Sequence, residues 1–159
     1  TLFRSNNKAA WNTFVWFATL VALADGLSST GFIAWLGKEG GALMSGISPG
    51  MATIVLLLAF YLLHYLFAST TAHTTALLPA MLTIASTIPG MNMEVFVLLM
   101  VTSLGVMGII TPYGTGPSPI YYGSGYLPTK DYWRLGTIFG AIFLAALLLI
   151  GYPWMSMMF

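Results

Sequence analysis

From Gly40 to Thr129 the chain holds a single Asp, Glu, Lys or Arg, and that is Glu94. A soluble fold cannot cover its surface with such a stretch, because soluble domains carry roughly 25% charged residues. Over its whole length this chain carries 6% charged and 58% hydrophobic residues. The sequence therefore predicts an all-α integral membrane protein. A span needs about 20 residues, which leaves room for five or six apolar segments in one membrane domain. A net charge of +1 gives nucleic acid no electrostatic handle. The absence of cysteine removes disulfides, thiolate metal sites and cysteine nucleophiles together.

The chain does not begin with Met, and Thr1-Leu2-Phe3-Arg4-Ser5 reads as a sequencing or cloning scar. Residues 6–159 are then expected to be the C-terminal part of a longer protein. Ala9 to Leu36 is one crossing, with a kink near Gly26. Asp25 is read as the cap of a helix beginning at Leu27, beside Ser28 and Ser29; the competing reading is a functional intramembrane acid. Gly37 to Gly50 reads as a loop. Met51 to Phe67 and Thr74 to Ser86 are two helices joined by Ala68-Ser69-Thr70-Thr71-Ala72-His73. That link is hydroxyl-rich and lacks Lys, Arg, Pro and Gly, so it is read as the tip of a re-entrant hairpin spanning about 51–86. After a turn at Pro89-Gly90, Glu94 to Ile109 is helix.

Ile110-Thr111-Pro112-Tyr113-Gly114-Thr115-Gly116-Pro117-Ser118-Pro119 then breaks the helix. Proline lacks an amide donor and clashes with the preceding turn, so no helix runs through this stretch. Irregular backbone at membrane depth survives only where protein buries it or water lines it. Such interrupted helices mark transporter binding sites. Helix resumes with Ser118 as N-cap and Pro119 first, and the broken helix spans about 94–126. The last helix, about 131–151, is bracketed by Tyr132, Trp133, Tyr152 and Trp154 as interfacial aromatics. Gly136 and Gly140 give it a close-packing face, against the same protein or a second subunit. Counting crossings puts Arg4, Lys8, Lys130 and Arg134 on one side, cytoplasmic by the positive-inside rule, with the C-terminus outside.

Two interruptions can thus meet at mid-depth. Each precedes a helix start, whose unpaired amides and dipole attract a carboxylate without any cationic side chain. Ser69, Thr70, Thr71, Thr111 and Thr115 add neutral hydroxyls, and the glycines let backbone approach a ligand. That chemistry fits a small anion held loosely enough to be released.

Phe67-Ala68-Ser69-Thr70-Thr71-Ala72-His73-Thr74, the stretch Ile110 to Pro119 and Gly123-Ser124-Gly125-Tyr126 resemble the divalent anion:sodium symporter family. The resemblance covers nearly the whole chain after Ser5. It is strongest to the exchanger branches, the bacterial citrate/succinate and tartrate/succinate antiporters and the plastid oxoglutarate/malate translocators. It implies the second of two inverted repeats, each with a re-entrant hairpin and a broken helix. It also implies a bacterial inner membrane, or less readily a plastid envelope, and it allows a homodimer. By resemblance, Ser69 and Thr71 touch a substrate carboxylate at the hairpin tip. Thr70 stands where the symporters have an asparagine that helps hold substrate and sodium. Thr111 and Pro112 match the second break. The stretch from Gly114 to Pro117, Thr115 included, is longer than in symporters. These departures favour exchange of di- or tricarboxylates (succinate, malate, tartrate, citrate or 2-oxoglutarate) over sodium coupling. No cofactor and no metal is expected, and the first repeat would supply the rest of the site.

Rival classes fare worse. His64 and His73 lack the i, i+4 spacing of a zinc helix and have no carboxylate nearby, so they read as hydrogen-bonding packing residues. Ser124 between two glycines has no base, which argues against an enzyme. No ring of charge can be built, which argues against a channel. A passive scaffold would tolerate substitution of Ser69 or Thr111 without change in flux.

Overall fold

A computed structural model of the chain describes residues 29–159 continuously, together with residues 11, 15, 18, 19, 22, 25 and 26. Every described element is helical. The first is α1, Phe32–Leu43; α2, Pro49–Leu63, ends in a 3-10 turn, His64–Leu66; α3 is Thr70–Ser86 and α4 is Met93–Met107. Then come the short α5, Ser118–Gly123, and α6, Thr129–Ala146, which continues through a π turn, Leu147–Gly151, into α7, Tyr152–Met158. Two helices among the described residues are long and apolar enough to cross a membrane, Pro49–Leu66 and Thr129–Met158. Most of the expected first crossing, with Arg4 and Lys8, lies outside the described residues.

α4 is the centre of the packing. It contacts α2, α3, α6 and α7, and it buries Val95, Phe96, Leu99, Met100 and Met107. Facing it are Ala52, Leu56, Leu57 and Phe60 of α2 and Met81, Ile84 and Ala85 of α3. Local signals start these helices. Ser48 accepts from the Met51 amide with Pro49 following, and Asn92 accepts from the Val95 amide at 3.1 Å. Both are side-chain N-caps, each satisfying one orphan donor.

Four expected boundaries are corrected. α1 runs through Gly37, Gly40 and Gly41, where a loop is expected from composition. A Cβ on Gly40 would sit 2.7 Å from Ile84 Cδ1, and one on Gly37 or Gly41 would strike Thr83 or Thr87. Close packing on α3 therefore outweighs the weak helix propensity of glycine. The expected kink near Gly26 lies instead at Gly31, with φ 78, while Asp25 and Gly26 are themselves helical. α3 begins at Thr70 rather than Thr74, because Ser69 caps it by accepting from the Ala72 amide at 3.4 Å. The connection between α2 and α3 is thereby shortened, and Thr70, Thr71 and His73 become first-turn residues. Finally, the last helix continues past Ile150 to Met158. The π turn, in which the Tyr152 amide bonds to the Leu147 carbonyl, lets the chain carry Pro153 without ending. Tyr152 and Trp154 thus lie inside the helix rather than beyond its end. A smaller shift puts Pro117 at the N-cap of α5 and Ser118 in its first turn.

Candidate functional site

The start of α3 and the irregular segment after α4 meet. The Thr70 hydroxyl donates to the Gly114 carbonyl at 3.1 Å, joining residues 44 positions apart. Both segments are shaped by local chemistry. Past Met107 the helix stops at Gly108, and the following residues turn back on themselves, the Gly114 amide reaching the Thr111 carbonyl at 3.5 Å. The Thr115 and Ser118 hydroxyls pair at 2.5 Å and tie the end of the irregular segment to α5. The Tyr113 hydroxyl donates to the Tyr65 carbonyl at 3.0 Å, a second link to the end of α2.

α6 closes one side. Gly136 lies so close to the irregular segment that a Cβ there would sit 2.7 Å from the Ile109 carbonyl oxygen, and Gly140 lies against Ile110. The Tyr61 hydroxyl donates to the Gly140 carbonyl at 3.0 Å. The close-packing face expected of these glycines thus contacts the same chain.

Of the expected site residues, Thr111, Pro112 and Gly114 are buried, Ser69, Thr70 and Thr115 are half-buried, and Thr71 is exposed. Thr70, Thr111 and Gly114 come together. A Cβ built on Gly114 would lie 2.7 Å from Thr111 Oγ1. Ser69 is at the same helix start, its oxygen engaged as a cap and its O–H left to donate. The Thr115 hydroxyl is bonded to Ser118 instead. Thr115 lines, with Ser118, Gly108, Tyr132 and Phe139, a mainly apolar cavity of about 590 Å³ between α4, α5 and α6.

The structure adds two residues that the sequence reading set aside. His64 and His73 are fully buried, and neither ring has a hydrogen-bond partner at either nitrogen. His73 thus departs from the expected hydrogen-bonded packing, while His64 stands with Nε2 against the Gly114 main chain. The two rings pack through their edges. His73 lies 4.3 Å from Phe60, 5.0 Å from Phe67 and 5.0 Å from His64, centroid to centroid. The Thr111 hydroxyl is likewise buried without a partner. The signal in the sequence was position: one histidine precedes the hydroxyl-rich connection and the other ends it.

A family model described as the sodium:sulfate symporter transmembrane region matches residues 4–159. The chain belongs to this family. It is the divalent anion:sodium symporter family that its motifs resemble. The chain is 54% identical over 150 residues to the L-tartrate/succinate antiporter of Escherichia coli K12, covering 94% of this chain and 31% of that protein. The same identity and coverage hold for the L-tartrate/succinate antiporter of Shigella flexneri. The protein of that name from Escherichia coli UTI89 is 54% identical over 152 residues, 96% of this chain. The chain thus spans about a third of the length of these curated relatives, matching their C-terminal part. The relatives are named as antiporters, and the family is described as a symporter transmembrane region.

Proposed function

We propose that the chain forms the C-terminal repeat of a secondary transporter that exchanges one di- or tricarboxylate for another. The observation that carries the reading is the Thr70–Gly114 hydrogen bond. It joins two helix interruptions that lie in charge-free sequence, one of them followed by the first turn of a 17-residue helix. In this reading α2 and α3 are the limbs of a re-entrant hairpin, and α4 with α5 is a broken transmembrane helix. Ser69, Thr70, Thr71, Thr111, Pro112, Gly114 and Thr115 contribute half of the site. The first-turn amides of α3 and the hydroxyls neutralise part of a carboxylate charge, while a repeat preceding this one supplies the remainder. The protein works in a bacterial inner membrane with its C-terminus outside, as a monomer or homodimer. Succinate and tartrate head the substrate set because the relatives are named for them; malate, citrate and 2-oxoglutarate share the two-carboxylate chemistry.

The test uses the complete protein in liposomes loaded with succinate or with buffer, with labelled succinate outside and sodium varied. Exchange predicts uptake that needs internal dicarboxylate and ignores sodium. The second reading, sodium-coupled symport, is favoured by the description of the family. It predicts uptake into empty liposomes driven by a sodium gradient, and that result would sink the exchange reading.

A further inference from the structure

Five buried side-chain atoms among the described residues have no hydrogen-bond partner: both ring nitrogens of His64, both of His73, and Thr111 Oγ1. All three residues are 0% exposed. A buried polar atom left unpaired costs about 1–3 kcal/mol, and folded proteins keep few of them. Two of them converge: His64 Nε2 and Thr111 Oγ1 each lie 2.7 Å from where a Cβ on Gly114 would stand.

The geometry restricts which of them can gain a partner. His73 is boxed by the Phe60, Phe67 and His64 rings. His64 has the His73 ring against it, 5.0 Å between centroids. Its Nε2 faces Gly114, 2.7 Å from where a Cβ would stand, and Gly108 O lies 3.1 Å from that same point. A side chain there would collide with the imidazole, so glycine is what lets the ring approach the main chain of the break. The Gly114 carbonyl is meanwhile bonded by Thr70. A carbonyl oxygen has two lone pairs, so a second donor can arrive before the first leaves.

We propose that His64 is a positioning residue that takes the Gly114 carbonyl over from Thr70 and so releases the Thr70 hydroxyl to the carried carboxylate. The inference rests on the reading of the α3 start as half of an anion site. While Thr70 is bonded to Gly114 its O–H cannot also donate to an anion. Once His64 donates to Gly114, the carbonyl remains paired, one imidazole nitrogen becomes paired, and the Thr70 hydroxyl is free beside the first-turn amides of α3. The exchange of donors costs little, because the number of bonds to Gly114 is the same before and after. His73 and its aromatic box hold the His64 ring at the height of Gly114.

The first arm of the test needs no substrate. The complete protein, labelled with nitrogen-15 histidine, is compared with Thr70→Val, which removes the competing donor and keeps the shape. The expected result is a downfield imidazole N–H signal, slow to exchange with water, in Thr70→Val. That signal is lost in Thr70→Val/His64→Gln. The second arm measures dicarboxylate exchange. His64→Phe should raise KM about tenfold, the loss of roughly one hydrogen bond to a charged group, with thermal stability unchanged. His64→Gln, which retains an N–H donor, should restore KM. A residue that only fills space would instead lower stability, leave KM alone and not be rescued by glutamine. A missing N–H signal, or a KM unmoved in an exchanging protein, overturns the proposal. A wild-type protein that exchanges no dicarboxylate overturns the transport reading alone, and the imidazole signal still decides the donor exchange.

Discussion

Gly114 sits where three groups converge, and no larger residue fits there. A methyl group would lie 2.7 Å from His64 Nε2 and Thr111 Oγ1 and 3.1 Å from the Gly108 carbonyl, and the last of these is main chain that cannot swing aside. Gly114→Ala is expected to cost about 1–3 kcal/mol as overpacking does and to abolish exchange. Gly116→Ala, with nothing within 4 Å, should leave thermal unfolding unchanged. Thr111 gives the opposite separation of effects. Its hydroxyl is buried and unpartnered, so Thr111→Val removes an unsatisfied atom at constant shape. Stability should hold or rise, while exchange falls; equal exchange by wild type and variant would remove Thr111 from the site. At this scale the sequence made Thr111, Gly114 and Thr70 legible, because threonine and glycine stand out in an apolar break. It did not make His64 and His73 legible. A histidine in an apolar helix reads the same whether its nitrogens are bonded or bare, and only the neighbours brought by folding distinguish the two.

At the scale of elements, α2, α4 and most of α6 were legible because each is a long apolar run with a clear start. α1 was not, because its glycines belong to an interface with α3 and not to a loop. That interface is testable. Gly40→Leu would push into Ile84, whose Cδ1 and Cγ1 already stand 2.7 Å from a Cβ at that position. The expected cost is about 1–3 kcal/mol, read as a lower unfolding temperature in detergent. Gly105→Ala in α4, with open space around it, is the control. It should be neutral or stabilising by about 0.5–1 kcal/mol, the ordinary gain of alanine over glycine inside a helix. If both variants lower stability equally, the α1–α3 contact is not what holds the glycine helix in place. The start of α3 is hidden in the sequence for a related reason. A cap such as Ser69 decides where a helix begins, and the threonines after it follow the cap rather than their own modest propensity.

Across the whole molecule, the scarcity of charge was enough to predict a membrane protein and the hydroxyl-rich interruptions in it suggested that the two meet, but the bond that joins them, Thr70 to the Gly114 carbonyl, was not visible in the chain order. Much of α6 faces outward, with Leu135, Ile138, Phe139, Ile142 and Phe143 exposed. Under the transport reading this face meets lipid or the other repeat, and the 159-residue chain by itself should give no uptake in liposomes. Robust uptake by it would show that half of a site is enough. The π turn ahead of Tyr152 has a consequence of another kind. A π turn holds one residue more than an α turn, so it sets the rotational phase of everything after it. In an α-helix each residue advances about 100° around the axis. Deleting Leu149 would convert the turn to α and rotate α7 by roughly that angle. Met155, now buried, would swing outward, and the Tyr152 hydroxyl would leave its place 3.2 Å from the Cβ position of Gly50. The extra residue works as a clutch: it lets one continuous helix offer one side to the break at Ile110 and a different side to the start of α2.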